Sequence, residues 1–159
     1  EGDTNIDYKK SIKNLIKIIP DAKVIRSHSL TQNSKILSYC KELGFSHDSN
    51  DIVFGSQTKF NPWRHFSGLI KAPITWEDDI HLFQSKNKCN RINKNYIFYD
   101  SLNVFNFHPS AIYANTFDFN HQNFVMKNQK TYFKIKNQIN FTKYGIRNCL
   151  EDLIHQDFK

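Results

Sequence analysis

The sequence predicts an α/β protein, and two observations support this class. Amphipathic segments with helical spacing alternate along the chain with short runs rich in β-branched and aromatic residues. Such alternation is typical of parallel strands joined by crossover helices. A closed barrel of eight β/α units takes roughly 250 residues. A chain of 159 residues therefore holds either a small open sheet or part of a barrel, and we predict one domain over residues 1–159.

The first elements are a helix and a strand. Residues 8–19 place apolar side chains on one face and lysines on the other, which predicts an amphipathic helix that ends at Pro20. Residues 22–25 form a short apolar run, which predicts a strand. This strand ends in the polar and ionisable residues 26–30.

A second helix and a further strand are expected next. Apolar residues recur at helical spacing between a cap supplied by Thr31 or Asn33 and a closing glycine, Gly44. Residues 45–50 are polar and predict a turn, and residues 52–54 predict a strand.

The middle of the chain combines a loop with a cluster of acids. Residues 55–66 predict a loop that could cover a pocket, with Trp63 either lining the pocket or belonging to the core. After an apolar run at 69–74, residues 76–79 place three acids beside a tryptophan. Such acids most often mark a solvated helix N-terminus. Beside a strand end they are also candidates for a site.

Residues 101–116 carry the most informative pattern. A β-branched and aromatic run predicts a buried strand that ends at His108 and Pro109. Proline cannot donate to a sheet and keeps the preceding residue out of the helical region. The imidazole is therefore expected at a sheet edge, where α/β proteins build active sites. The alternative is that His108 only caps the strand or bonds a neighbouring loop.

Three segments complete the chain. Residues 86–95 are basic and asparagine-rich, which predicts a surface segment with little regular structure. Alternating apolar residues predict a strand over 133–141, and helical spacing predicts an amphipathic helix over 144–155.

The net charge of +7 admits a second class of function, a basic module that binds nucleic acid or another polyanion. Its candidates are Lys86, Lys88, Arg91, Lys94 and the lysines between 127 and 136. We do not favour it, because no nucleic-acid-binding motif accompanies the charge. Abundant lysine, asparagine and isoleucine also follow from codon bias in an AT-rich genome.

Cysteine usage and hydropathy indicate the compartment. Three widely spaced cysteines predict neither a disulfide framework nor a zinc knuckle. No apolar run approaches the roughly 20 residues of a membrane span, and none at the N-terminus resembles a signal peptide. We expect a cytoplasmic protein.

Four segments resemble, in order, motifs of polysaccharide deacetylase-like proteins, a divergent branch of the NodB-homology superfamily encoded among bacterial surface-polysaccharide genes. The segments are Arg26–Leu30, Leu43–Phe45 with Asp48–Asn50, Trp76–Asp79, and Asn106–Pro109 with Asn115–Thr116. The resemblance implies an irregular (β/α) barrel, a divalent metal that is usually zinc, and hydrolysis of the acetamide of an N-acetylated sugar.

The same resemblance implies roles for individual residues. His108 matches the general acid that protonates the leaving sugar nitrogen, and Arg26 matches the arginine that orients the catalytic carboxylate. Asp79, or with less support Asp78, matches the acid that holds the histidine. His28 departs from the superfamily's usual arginine motif and would touch metal or substrate.

Substrate contacts are implied as well. Trp76 would line the pocket wall against the acetyl methyl group or a sugar face, and Trp63 and Asp78 are further candidates for substrate binding.

One departure limits the resemblance. The superfamily's aspartate pair and metal-binding histidines precede the arginine motif, but residues 1–25 contain no histidine. Metal ligands and a general base are therefore not predicted in this chain. We expect the C-terminal portion of a deacetylase-like barrel that pairs with a missing N-terminal segment, or an inactive relative that binds sugar.

Overall fold

The structure of the chain is a computed structural model that describes residues 7–53, 59–86, 88–94, 97–98 and 100–155. Its strands form one four-stranded and one two-stranded sheet among seven described α-helices and a short 3₁₀ helix at His28–Leu30, which confirms the mixed α/β class. The chain divides into two compact units, each described by itself: Glu1–Val53 with Thr58–Ile74, and Phe54–Gln57 with Thr75–Lys159. The single domain and the partial barrel stay predictions.

Two helices of the first unit confirm the helical spacing of the sequence. Helix α1 spans Tyr8–Ile18, and the Asp7 side chain caps it by accepting from two backbone N–H groups. Helix α2 spans Ser34–Glu42, and the Asn33 side chain caps it. Gly44 follows with a left-handed φ of 91°, a conformation that glycine adopts without a steric cost.

The sheet of the first unit has the strand order β1-β2-β4-β3. Its strands are β1 (Val24–Ile25), β2 (His47–Asp48), β3 (Trp63–Arg64) and β4 (Ile70–Lys71). The first three in this order are parallel, and β3 lies antiparallel on the edge of β4. The carboxyl ends of β1, β2 and β4 therefore lie at one edge of the sheet.

Three sequence predictions for this unit were wrong in part. Residues 45–50, predicted as a turn, contain β2, because buried Asp48 finds a cationic partner elsewhere in the sheet. The predicted strand at 52–54 is a single bridge between Ile52 and Ile74, and Phe54 lies outside the described residues. The loop predicted at 55–66 includes edge strand β3, and residues 54–58 are not described.

In the second unit, two short parallel strands are each followed closely by a helix. Strand β5 (Trp76–Glu77) is followed by α3 (Asp78–Gln84), and β6 (Phe105–Asn106) is followed by α4 (Pro109–Ala114) after His108. Trp76 pairs with Phe105 in the ladder. The strand predicted to be buried is only half-buried at β6.

Three further helices complete the second unit: α5 (Phe119–Asn128), α6 (Tyr132–Lys136) and α7 (Ile146–His155). Helix α7 confirms the predicted C-terminal helix. The prediction of a strand over 133–141 was wrong, because Tyr132–Lys136 is a helix. Phe133 is 80% exposed, whereas Ile135, two residues further on, is 4% exposed. Residues two apart would share one face of a strand, whereas here Ile135 packs on Ala114 from a helix.

The basic segment at 86–95 is less solvated than its composition predicts, because Cys89 and Ile92 are buried in the core of the second unit. Residues 87 and 95 lie outside the description. No helix within the described ranges is both long and apolar enough to cross a membrane.

Candidate active site

The pairing of β5 with β6 brings Asp78 and His108 together, because Asp78 directly follows β5 and His108 follows β6 after one intervening residue, Phe107. The His108 backbone N–H donates to Asp78 Oδ2 at 2.7 Å, and His108 Nδ1 lies 2.6 Å from Asp78 Oδ1. Asp78 is fully buried, whereas the His108 side chain is 29% exposed. One buried carboxylate thus fixes both the backbone and the ring of the histidine.

This contact controls the protonation of His108. The hydrogen bond to Asp78 raises the pKa of His108 to about 9, and burial acts in the opposite direction. The charges of Asp78, Asp79 and Glu77 add to the increase. His108 is therefore an imidazolium at neutral pH. With Nδ1 held by Asp78, Nε2 is the ring nitrogen that can transfer a proton.

In the structure, the aspartate that holds His108 is Asp78. The resemblance had favoured Asp79 over Asp78 for this contact. Both aspartates lie in the first turn of α3, but Asp78 comes first and is buried beneath His108. Asp79 is half-buried, and its side chain accepts from the backbone of Ile80. The role predicted for Asp79 as the partner of His108 was therefore wrong.

Glu77 adds a second buried carboxyl group. Burial raises its pKa, and so does the charge of Asp79, while a hydrogen bond with Asn106 lowers it. Glu77 Oε2 has no hydrogen-bond partner among the described residues. One ligand atom each of Glu77, Asp79 and His108 lie within 4.8 Å of one another. An unpartnered buried carboxylate oxygen in such a group suits a cation.

A cleft of about 420 Å³ opens beside His108. Its walls include Ser110 of α4 and the rings of Tyr113 and Tyr132, whose centroids lie 6.0 Å apart. Aromatic rings with a few polar groups are typical of small-molecule sites. Neither tyrosine was predicted from the sequence as a site residue. The two rings lie on different helices, α4 and α6, and no local pattern in the sequence relates them.

The two tryptophans do not have the environments expected of them. Trp76 is 1% exposed and packs on Phe107 with ring centroids 4.8 Å apart. Its prediction as a pocket wall was wrong, since it supports the β5–β6 edge from within the core. Trp63 is 40% exposed on edge strand β3, so it is not a core residue, and its substrate contact stays a prediction.

The arginine motif of the first unit forms a tight turn after β1. Ser29 and Leu30 have left-handed φ values of 54° and 52°, which is costly for a branched residue such as leucine. The Asn50 Oδ1 atom accepts from the backbone N–H and the hydroxyl of Ser27, at 2.8 and 2.9 Å. Two of the resembling motifs therefore contact each other, and Arg26 also hydrogen-bonds Ser49 at 3.4 Å.

Beside this turn lies a buried ionic network that the sequence did not predict. Lys71 contacts Asp48, and its Nζ lies 2.8 Å from Asp51 Oδ2 and 2.5 Å from Gln32 Oε1. Burial alone would lower the pKa of Lys71, but the hydrogen bonds to both aspartates outweigh it and raise the pKa. Lys71 was missed because it stands within an apolar run.

Arg26 and His28 are exposed in the first unit, whereas Asp79 and His108 lie in the second. The predicted convergence of Arg26 with the other two in one pocket stays a prediction. So does the role of His28 toward metal or substrate.

The basic side chains of the alternative function are exposed at Lys86, Lys88, Arg91 and Lys94. The Arg91 guanidinium carbon lies 5.9 Å from the centroid of the Tyr144 ring, and Arg91 Nε lies 3.7 Å from Asp152 Oδ2. Part of this positive charge therefore interacts with groups of the protein itself. A continuous positive face stays a prediction.

The fold and the site define a mixed α/β protein with an aspartate–histidine pair where two parallel strands end. The family model that matches the chain, over residues 1–127, is described as WbmS-like: polysaccharide deacetylase. The chain belongs to this family. Curated protein sequences give no significant match.

The fold is similar to that of WbmS from Bordetella bronchiseptica, whose crystal structure is assigned to a polysaccharide deacetylase involved in O-antigen biosynthesis. The TM-score is 0.79 and the sequence identity is 25%. The match covers 92% of this chain and 60% of that one, so the chain spans less than two thirds of the length of its structural relative.

Proposed function

We propose that the chain carries the acid-bearing part of a carbohydrate N-deacetylase site that hydrolyses the acetamide of an N-acetylated sugar in bacterial surface-polysaccharide biosynthesis. The observation that carries this proposal is the Asp78–His108 pair, which keeps an accessible imidazole protonated at neutral pH. Family membership and the similarity to WbmS support the same reaction class.

Deacetylation needs a proton at the nitrogen that leaves. Water loses one proton to solvent and adds to the acetyl carbonyl carbon, the C–N bond breaks, and acetate and a free amine are formed. His108 donates a proton to this nitrogen from Nε2, which avoids the expulsion of an amide anion. Asp78 stabilises the imidazolium and keeps the ring in one orientation through its two contacts.

The donor set beside His108 fits the divalent metal that the family implies. Glu77 and Asp79 would hold it, because Glu77 Oε2 lacks a hydrogen-bond partner in the described part of the chain and Asp79 lies within reach. A bound metal, zinc in our proposal, would supply a Lewis acid that polarises the acetyl carbonyl. His108 is assigned to proton transfer, because an imidazolium has no lone pair for a metal.

The cleft beside His108 is the proposed sugar site. Tyr113 and Tyr132 offer ring faces that pack on the C–H face of a pyranose, and Ser110 offers a hydroxyl group. This cleft replaces the predicted contact with Trp76. Parallel strand pairing within each unit supports the partial or irregular (β/α) barrel that we propose as the architecture.

Acetate release from N-acetylglucosamine oligosaccharides, with zinc added, tests the proposal. We expect His108→Ala to lower kcat by about 100-fold or more, the usual contribution of a general acid, without a change in the circular dichroism spectrum. His155→Ala is the matched control, since His155 is exposed at the end of α7, and it should keep full activity.

Two outcomes would contradict the proposal. One is equal acetate release by His108→Ala and the unmodified chain. The other is the absence of acetate release from a panel of N-acetylated sugars by the folded, zinc-loaded chain. The second outcome, with sugar binding retained, would favour the sugar-binding relative that lacks hydrolysis.

A further inference from the structure

A second cluster of metal-ligating side chains lies in the second unit and shares no residue with the Asp78–His108 site. It consists of His81 on α3, Cys89 in the segment that follows, and Cys149 on α7. All three residues are buried, with exposures of 7%, 8% and 0%. Buried thiols and an imidazole from three separate segments thus meet at one point.

The spacing of these groups is that of ligands around one ion. The two sulfur atoms are 3.5 Å apart, and one ligand atom from each residue lies within 4.8 Å of the others. Two sulfurs bound at about 2.3 Å to a tetrahedral zinc lie roughly 3.8 Å apart. The sulfurs in a disulfide lie at about 2.0 Å, and both cysteines here are free.

A fourth donor lies among the three side chains. The backbone carbonyl oxygen of Asn90 is 2.8 Å from His81 Nε2 and 3.5 Å from Cys149 Sγ. It is also 3.9 Å from Cys89 Sγ. In the absence of an ion this carbonyl can accept hydrogen bonds from the ring and the thiols. With an ion bound, it is the nearest group for a fourth coordination position.

The surroundings indicate a structural site rather than a catalytic one. His81 packs on Trp76 with ring centroids 5.2 Å apart, and Trp76, Cys89 and Cys149 belong to the main core of the second unit. Closed sites with thiolate ligands contribute directly to folding, whereas catalytic metals keep an open position. The segment around Cys89 has little regular structure, so a cross-link to α3 and α7 would fix its path.

We propose that His81, Cys89 and Cys149 bind one thiophilic divalent cation, of which zinc is the best match, and that the Asn90 carbonyl is the nearest fourth donor. Two sulfurs and an imidazole nitrogen favour zinc over the hard cations magnesium and calcium. This site has no short Cys-x-x-Cys motif, because its ligands are spread over residues 81–149. It was therefore not predicted from the sequence.

Cobalt substitution of the reduced full chain tests this proposal. Tetrahedral cobalt with thiolate ligands absorbs in the near ultraviolet through sulfur-to-cobalt charge transfer, and carboxylate ligands do not give this band. We expect the band to saturate at one cobalt per chain and to be lost in Cys89→Ser and in Cys149→Ser. Cys40→Ser is the matched control, because Cys40 is equally buried but lies in the first unit, and it should keep the band.

X-ray absorption of the zinc-loaded, unmodified chain covers the case in which a variant does not fold. Two sulfur neighbours at about 2.3 Å per thiolate-bound zinc are expected. Three results would overturn the proposal: zinc with only oxygen and nitrogen neighbours, an unchanged cobalt band in Cys89→Ser, or a chain that binds no metal and joins Cys89 to Cys149 in a disulfide. None of these results depends on deacetylase activity.

Discussion

At the scale of single residues, Asp78 makes His108 an acid that stays protonated at neutral pH. Its two oxygens bond the histidine backbone and ring, and its burial keeps water from competing. The sequence indicated His108 and the acidic cluster, but not which aspartate would matter. Adjacent helical positions differ by about 100° in direction, and only strand pairing decides that Asp78 lies beneath His108.

Glu77 allows a prediction at the same scale. Glu77→Gln should raise the free energy of unfolding of the metal-free protein at pH 7. Burial raises the pKa of Glu77 in the folded protein above its ordinary value of 4.5. The stability that the protonated carboxyl group contributes to the folded state is therefore complete below pH 4.5, and it is lost as the pH rises through the folded-state pKa. Glutamine keeps the shape and stays neutral.

Urea unfolding at pH 7 and pH 4, in the presence of a chelator, measures this effect. The gain should be smaller at pH 4, where the carboxyl group is largely protonated in both states. Glu151→Gln, on an exposed position of α7, should show no such dependence on pH. A loss of stability in Glu77→Gln at pH 7 would contradict the assigned environment.

At the scale of secondary-structure elements, the site is built on two strands, β5 and β6, that have only two residues each. Each of these strands is followed by a helix, α3 or α4. Helices were the predictable part: spacing and caps such as Asn33 located α1, α2 and α7. Strands were harder, because polar β2 pairs with β1 and β4, and its buried Asp48 contacts Lys71, which lies 23 residues further along the chain. The segment 133–136 has an alternating pattern, yet burial of Ile135 from a helix decides its structure.

The junction between α4 and α7 gives a prediction at this scale. Asn115 ends α4 with a left-handed φ of 49°, and its side-chain oxygen accepts from the Arg147 N–H at 3.0 Å. A Cβ on Gly145 would collide with this oxygen and would lie 2.5 Å from the Asn115 carbonyl oxygen. Gly145→Ala should therefore lower the free energy of unfolding by about 2–4 kcal/mol.

Gly44→Ala is the control for this substitution. Gly44 has a left-handed φ of 91°, but a Cβ on this residue would meet no atom within 4 Å among the described residues, so only backbone strain, about 1 kcal/mol, is expected. Thermal or urea unfolding compares the two variants. An equal or smaller effect of Gly145→Ala would show that the junction tolerates a side chain and would contradict the packing described.

At the scale of the whole molecule, the alternation of helices and strands was enough to predict the mixed α/β class, and four ordered motifs were enough to indicate the family. Contacts that join distant segments were not predictable in the same way. The His81–Cys89–Cys149 cluster and the Lys71 network both combine residues that no local pattern relates. Trp76 illustrates the same limit, since an aromatic ring beside acids is equally compatible with a pocket wall and with a core.

The central claim is that the folded protein keeps a transferable proton on His108 at neutral pH. An NMR titration of the His108 imidazole in the unmodified chain and in Asp78→Asn tests it most directly, with His155 as an internal reference. We predict a pKa of about 9 in the unmodified chain and a decrease toward the ordinary 6.5 in Asp78→Asn. A His108 pKa near 6.5 in both proteins would contradict the account.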